Sequence, residues 1–277
     1  MGKPASAVSA LRAGGPRELA LRTRRWAARA IDPPKPARPP ARRRRVTASN
    51  VGFDRATKFF EARHETYVQL AEAIGPHLDP DGVLLDVGAN IGYFTKVVGE
   101  QTGFRGTAHL FEPIPQLARL CHRTLESAEF AVSVHQFGLS DTDGHVDIFV
   151  SQLGNLGWNT VIPEWGRDPA KMKPQRIAVR RFDGLGLTAT PSVVKIDVEG
   201  AEYLVLRGLV PALRQWETKP VILCEIASGH ARHPSWAEEM AIVREVLDLG
   251  YRATTLEGAD LDVTEVDSTT DVLFLPR

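Results

Sequence analysis

The chain has 277 residues, 43% of them hydrophobic and 25% charged, an ordinary globular composition with room for one large domain or two small ones. Its formal charge of zero hides an asymmetry: residues 1–50 hold 13 Lys or Arg against only Glu18 and Asp32, a net of +11, so the rest carries a net of −11. An acidic body argues against a broad phosphate-gripping surface and so against a nucleic-acid partner, and no run of 18 apolar residues exists to span a membrane.

Residues 1–50 form a basic arm with Pro33-Pro34-Lys35-Pro36, Pro39-Pro40 and then Arg42 to Arg45. Such a segment buries too little apolar surface to offset its ordering entropy, and it is expected to be disordered. Residues 6–31 have the spacing of a transient basic amphipathic helix (Leu11, Leu19, Leu21, Trp26, Ile31). The arm also resembles a transit peptide, and its first six residues fit the short myristoylation pattern; a solvated tail is the simpler reading. Cys121 and Cys224 are too few for a disulfide framework and read as buried thiols of a reducing compartment. The N-terminus lacks the apolar core of a secretory signal, so a cytoplasmic location is expected.

From residue 51 to 277 the pattern is that of one folded domain. Residues 56–75 place Phe59, Phe60, Tyr67, Leu70, Ala71 and Ile74 at helical spacing. Short apolar runs bounded by turn residues follow at Val83–Val87, Thr107–Phe111, Val132–Phe137, Ser192–Val198, Val221–Ile226, Tyr251–Leu256 and Asp271–Leu275. Helix-length segments lie between them at Tyr93–Gln101, Pro115–Ala128, Ala201–Leu206 with Val210–Trp216, and Ser235–Leu249. That alternation predicts an α/β fold with a mostly parallel sheet covered on both faces. Residues 138–191 break the rhythm with Gly, Asn, Trp and Pro and only short β-like pieces at Val146–Val150 and Ile177–Arg181, as an insertion on the substrate side would.

Four local constellations carry chemistry. Asp86-Val87-Gly88-Ala89-Asn90-Ile91-Gly92 ends a strand and runs into a helix; its glycines permit a sharp turn, and the helix N-terminus offers N–H groups to an anionic part of a nucleotide cofactor. The spacing is not the G-x-G-x-x-G of dinucleotide binders. Glu112 ends the next apolar run, where an acid in a nucleotide-binding sheet accepts hydrogen bonds from ribose hydroxyls; its alternative role is to cap the helix after Pro113. Lys195, Asp197 and Glu199 alternate at the end of a third run and would point to one side of an extended chain. Glu225 ends the run after that, and His230 follows in a Gly-containing loop.

In this order the motifs resemble the FkbM family of S-adenosylmethionine-dependent methyltransferases. Lys195-Ile196-Asp197-Val198-Glu199-Gly200-Ala201-Glu202 looks like that family's signature, Asp86 to Gly92 like its cofactor loop, and Glu112 like its second-strand glutamate. Leu139-Ser140-Asp141 resembles its third-strand loop and Arg181-Phe182-Asp183-Gly184-Leu185 the segment before the signature. The resemblance spans residues 80–226 and departs from the family at Arg123 and Gln136, where members often carry Asn.

It implies a class I, Rossmann-like, doubly wound, mostly parallel seven-stranded sheet with the insertion on its substrate side. It also implies S-adenosyl-L-methionine as cofactor and a small-molecule hydroxyl, on a sugar or natural-product intermediate, as methyl acceptor. The cofactor's methionine end would lie over Gly88 and Gly92 beside Asp86 and Asn90, its ribose on Glu112, and its adenine edge on Ser140 and Asp141. Asp197, Glu199, Glu225 and His230 would be the catalytic set, with His230 the expected proton acceptor because its ordinary pKa lies near neutrality. The same four residues offer an oxygen-rich site for a divalent metal, but no metal is assigned to them. Two alternatives remain: a nucleic-acid methyltransferase, which would use the basic arm but lacks the Asp-Pro-Pro-aromatic motif, and a non-catalytic α/β binding module. Oligomeric state is not set by any of these residues.

Overall fold

Apolar runs of four to seven residues, each closed by a turn, become the strands of one seven-stranded sheet. The computed structural model describes residues 47–151, 156–157, 159–162, 171–187, 189–226, 236–266 and 268–277. The chain enters through helices α1 (Phe53–Glu61) and α2 (His64–Ile74). Strand β1 (Val83–Val87), α3 (Tyr93–Thr102), β2 (Thr107–Phe111), α4 (Pro115–Thr124) and β3 (Ala131–His135) follow. After the insertion come β8 (Val193–Ile196), α5 (Glu202–Gln215), β9 (Val221–Ile226), α6 (Trp236–Asp248), β10 (Tyr251–Thr254) and β11 (Thr270–Pro276).

The strand order is β10-β11-β9-β8-β1-β2-β3, parallel from β9 to β3, with β11 antiparallel to both its neighbours. Successive side chains on a strand face opposite ways, so each buried strand feeds two cores. Leu84, Val193 and Leu223 join the core under α1 to α4, whereas Leu85, Val194, Ile222 and Cys224 join the one under α5 and α6. This is the class I methyltransferase arrangement that the motifs imply. Among the described residues no helix is long and apolar enough to cross a membrane.

The insertion forms its own four-stranded sheet, ordered β4-β7-β5-β6, from β4 (Gly138–Ser140), β5 (Gly144–Ser151), β6 (Asn159–Thr160) and β7 (Met172–Arg181).

Three local expectations change. The helix expected over residues 56–75 is two helices, because the backbone leaves helical geometry at Arg63 (φ −125°, ψ 17°). On either side of the break Phe60 and Tyr67 converge on Tyr93, with ring centroids 5.9 and 5.3 Å from it. The two short helices expected around residue 208 are one, α5, which keeps Pro211 inside it despite the lost N–H. Strand β8 stops at Ile196, and Glu199 adopts φ +54°, so alternation along an extended chain does not describe Lys195, Asp197 and Glu199. Residues 1–46, most of the basic arm, lie outside the described residues, while Thr47 and Ala48 are already buried in the body.

Candidate active site

The parallel strands deliver their C-terminal ends to one edge of the sheet, where ligands of doubly wound folds bind. Two adjoining cavities lie there. The more polar, of about 220 Å³, is walled by the β1–α3 turn (Gly88, Ala89, Asn90), Glu112, Lys195, Asp197, Glu199, Glu225 and residues of α1 and α2. The other, of about 460 Å³, is mostly apolar and runs between Phe111, Leu139, Ser140, Tyr203 and the inserted sheet. They share Gly88, Pro113, Ile148 and Val198 as a common wall.

The β1–α3 turn is built around Gly88, at φ +83°, where an added Cβ would lie 1.9 Å from the carbonyl oxygen of Asp197. Any side chain there would push the two chemistry-bearing turns apart. Gly92, also left-handed, caps α3 and packs against Leu110 and Leu125 rather than lining either cavity. The turn's amides are largely spent internally. Gly88 and Ala89 donate to Phe111 O, Gly92 to Ala89 O, and Asn90 to a Glu112 carboxylate oxygen. Asn90, held at φ +54°, donates its side-chain amide to Leu156 O, and Asn159 of β6 donates to the same oxygen, both at 2.8 Å. The Oδ1 atoms of both asparagines are buried without a hydrogen-bond partner among the described residues.

Glu112 does two jobs. One carboxylate oxygen accepts from Asn90 N (2.9 Å) and the other from Ile114 N (2.8 Å), which ties the β1–α3 turn to the start of α4. Each oxygen retains a further lone pair, and the residue lines the polar cavity. Burial pushes its pKa up to about 8, against the pull of the two backbone bonds.

Asp86 is fully buried and lines neither cavity. It accepts from Thr95 Oγ1 (2.7 Å), and its other oxygen is 3.5 Å from Lys195 Nζ. Lys195 is also 3.1 Å from Asp197 and 3.4 Å from Gly88 O. Burial disfavours its charge, but Asp197 and Asp86 outweigh that and raise its pKa. Lys195 therefore pairs with Asp86 and Asp197, not with Glu225. Ser140 lines the apolar cavity, while Asp141 lines neither and holds Arg207 of α5 at 3.2 Å.

Asp197, Glu199 and Glu225 converge on the polar cavity as expected of adjacent parallel strands. Burial first, then mutual repulsion with Asp197, pushes the pKa values of Glu199 and Glu225 well up. Glu202 organises their loop by accepting from the backbone amides of Val198 and Gly200, both at 2.9 Å. Thr160 of the insertion donates to Glu199 O. His230 lies outside the described residues.

Sequence reasoning missed two walls of this site. Asp271 faces Glu225 across the β9–β11 pair, and burial with the Asp197 charge raises its pKa to about 6. It opens an apolar run, and only the antiparallel direction of β11 puts the start of that strand at the ligand edge. Phe59, Phe60, Arg63, Thr66 and Tyr67 form the opposite wall; their helical spacing reads as plain core packing. Arg123, one of the departures from the family pattern, stacks over Phe53 at 4.1 Å and helps to join α1 to α4.

The donor set fits the cofactor implied by the fold. The two cavities together reach the size of small-molecule sites, about 300–1,000 Å³. Among the described residues unfilled acceptors sit on Asn90 and Asn159, and several carboxylates line the polar cavity, a set that suits a cationic ligand.

The chain is similar to several known proteins. Hexuronic acid methyltransferase AglP of Haloferax volcanii is 28% identical over 151 residues, 54% of this chain and 58% of that protein. AMB antimetabolite synthetase AmbE of Pseudomonas aeruginosa is 30% identical over 167 residues, 48% of this chain and 8% of that protein. The chain thus spans about half the length of the first of these relatives and a small part of the second. Among solved structures, cofactor-bound Rv0187 from MTB overlays with a TM-score of 0.42 at 15% identity, covering 100% of this chain and 99% of that one. The Methyltransferase FkbM domain matches residues 86–253, more than half of the chain, and the chain belongs to that family.

Proposed function

We propose that this methyltransferase moves a methyl group from S-adenosylmethionine to a hydroxyl oxygen of a small molecule, a sugar or a natural-product intermediate. The observation that carries the reading is the paired cavity. Its apolar half suits an adenine ring beside Ser140, and its polar half carries Glu112 for the ribose and gathers Asp197, Glu199, Glu225 and Asp271. When bound, the cofactor would supply an electrophilic methyl on a sulfonium, with a neutral thioether as the leaving group.

The chain's own residues position and deprotonate. Asp86, ion-paired behind the turn, acts through Lys195 rather than by direct contact, so its expected place beside the cofactor's methionine end becomes a supporting one. Lys195 fixes Asp197, and Glu202 and Thr160 fix the backbone that presents Glu199. A cation placed against the acid cluster favours its ionised form, which equips Glu199 or Glu225 to take the hydroxyl proton. His230, four residues beyond β9, is the other proposed acceptor of that proton. Positioning an acceptor in line with the methyl supplies roughly 7–11 kcal/mol of barrier reduction. The acidic lining disfavours a polyphosphate acceptor such as a nucleic acid.

AglP is named for action on hexuronic acids, which makes sugar hydroxyls the first acceptors to try. The test incubates the full chain with methyl-labelled S-adenosylmethionine and a panel of hexuronic acids, neutral hexoses and phenols. Label on an oxygen of one panel member supports the reading. Label appearing only on amines or on RNA would overturn it.

A further inference from the structure

Two cations line the polar cavity among the described residues, Lys195 and Arg63. Lys195 is consumed by Asp86 and Asp197. Arg63 has no carboxylate within ion-pairing distance among the described residues. It occupies the break between α1 and α2, where one guanidinium nitrogen donates to Phe59 O at 2.6 Å. The guanidinium also stacks over the Phe59 ring, 4.0 Å from its centroid. These two contacts fix its plane and use one of five N–H donors. Burial lowers its pKa and only Tyr67 acts against that, the pattern of a partly desolvated cation waiting for an anion.

Facing it across the cavity stand Asp197, Glu199, Glu225 and Asp271. The cavity is therefore bipolar, with an acidic wall that suits positive charge and a pre-oriented guanidinium that suits a planar anion. Arginine held by stacking is the side chain best matched to forked recognition of a carboxylate.

We propose that Arg63 is the carboxylate anchor of this cavity, holding a carboxylate through its unused N–H groups. The inference rests on the methyltransferase reading of the same site. Two molecules present that chemistry there: the amino-acid end of the cofactor, and an acidic sugar acceptor of the hexuronic type.

The test uses calorimetry on the full chain and its Arg63→Gln and Arg63→Lys variants, with thermal melts to confirm folding. One arm compares S-adenosylhomocysteine with 5′-methylthioadenosine, which lacks the amino-acid end. The other compares D-glucuronate with D-glucose, with and without S-adenosylhomocysteine. Arg63→Gln should weaken a carboxylate-bearing probe by about tenfold or more while leaving its neutral counterpart unchanged. Arg63→Lys, which keeps the charge and loses the fork, should fall between. A selective loss for S-adenosylhomocysteine assigns the anchor to the cofactor, and a selective loss for D-glucuronate assigns it to the acceptor. Equal losses for charged and neutral probes would overturn the inference and leave Arg63 a packing residue. It is also overturned if S-adenosylhomocysteine affinity is unchanged and the wild type prefers D-glucuronate no more than D-glucose. A wild type that binds no S-adenosylhomocysteine contradicts the proposed function instead, and the sugar arm then decides Arg63 alone.

Discussion

Replacing Lys195 by Met tests whether the buried charge network holds the two motif turns together. Lys195 Nζ is 3.5 Å from the fully buried Asp86 carboxylate and 3.1 Å from Asp197, whose side chain is 38% exposed. Unit charges at the Asp86 separation attract by about 5 kcal/mol at an effective dielectric near 20, before the cost of desolvating both. The Asp197 pair, half in water, contributes far less. Met preserves the unbranched stem, so the perturbation is the loss of charge rather than of volume. What remains is a carboxylate in the core whose only hydrogen bond among the described residues is from Thr95. Removing one partner of a buried pair costs about 3–5 kcal/mol. Urea unfolding should show that drop as a lower midpoint at unchanged slope. Adding Asp86→Asn should recover part of the loss, with a coupling of about 1–3 kcal/mol in the double-mutant cycle. A cost below about 1 kcal/mol, the size of a surface ion pair, would refute the reasoning. So would strictly additive variants.

Glu239 in the first turn of α6 is fully buried with both carboxylate oxygens unpartnered among the described residues, and burial pushes its pKa up to about 8. An acid whose folded pKa is raised favours folding below its unfolded pKa of about 4.5, and that stability is lost as pH rises toward 8. Glu239→Gln should therefore raise the melting temperature at pH 8 more than at pH 5; an equal change at both would contradict the assignment. His230→Ala should lower turnover by roughly 10²-fold with cofactor affinity intact, and full activity across pH 6–9 would hand the proton to Glu199 or Glu225. Deleting residues 1–45 should leave the melting temperature nearly unchanged, because an arm of that composition contributes little to the core. Deleting through Gly52 removes the fully buried Ala48 and Val51 and should cost about 1–3 kcal/mol in urea unfolding; a costly shorter deletion would show the arm docked.

Much of the fold was legible because its signal is local. Strands β1, β2 and β9 begin and end where their apolar runs do, since a parallel strand covered on both faces is apolar along most of its length. The cofactor loop and the Lys195 to Glu202 run were legible for a related reason: polar residues at the mouth of an apolar strand have no packing role. Gly88, however, read as room for a ligand, and the structure makes it room for Asp197 O, a contact 109 positions along the chain. Asp86 read as a direct ligand group, yet a lysine from the neighbouring strand claims it. The Arg63 break and Asp271 were hidden because each depends on the neighbours that tertiary structure supplies. Periodicity records which residues are apolar, not where a helix must bend or which end of an edge strand meets the site.

The most direct measurement of the central claim is calorimetric binding of S-adenosylmethionine to the wild-type chain and to Glu112→Ala. Glu112 lines the polar cavity next to Pro113, which both cavities share, and once ionised has a spare lone pair on each oxygen for the ribose hydroxyls. At pH 9, above the Glu112 pKa of about 8, the account predicts one cofactor per chain and an affinity weakened about tenfold or more by the substitution, since hydrogen bonds to a charged group contribute roughly 1.5–3 kcal/mol. Absence of binding by a folded wild type, or an unchanged affinity in Glu112→Ala, would contradict it.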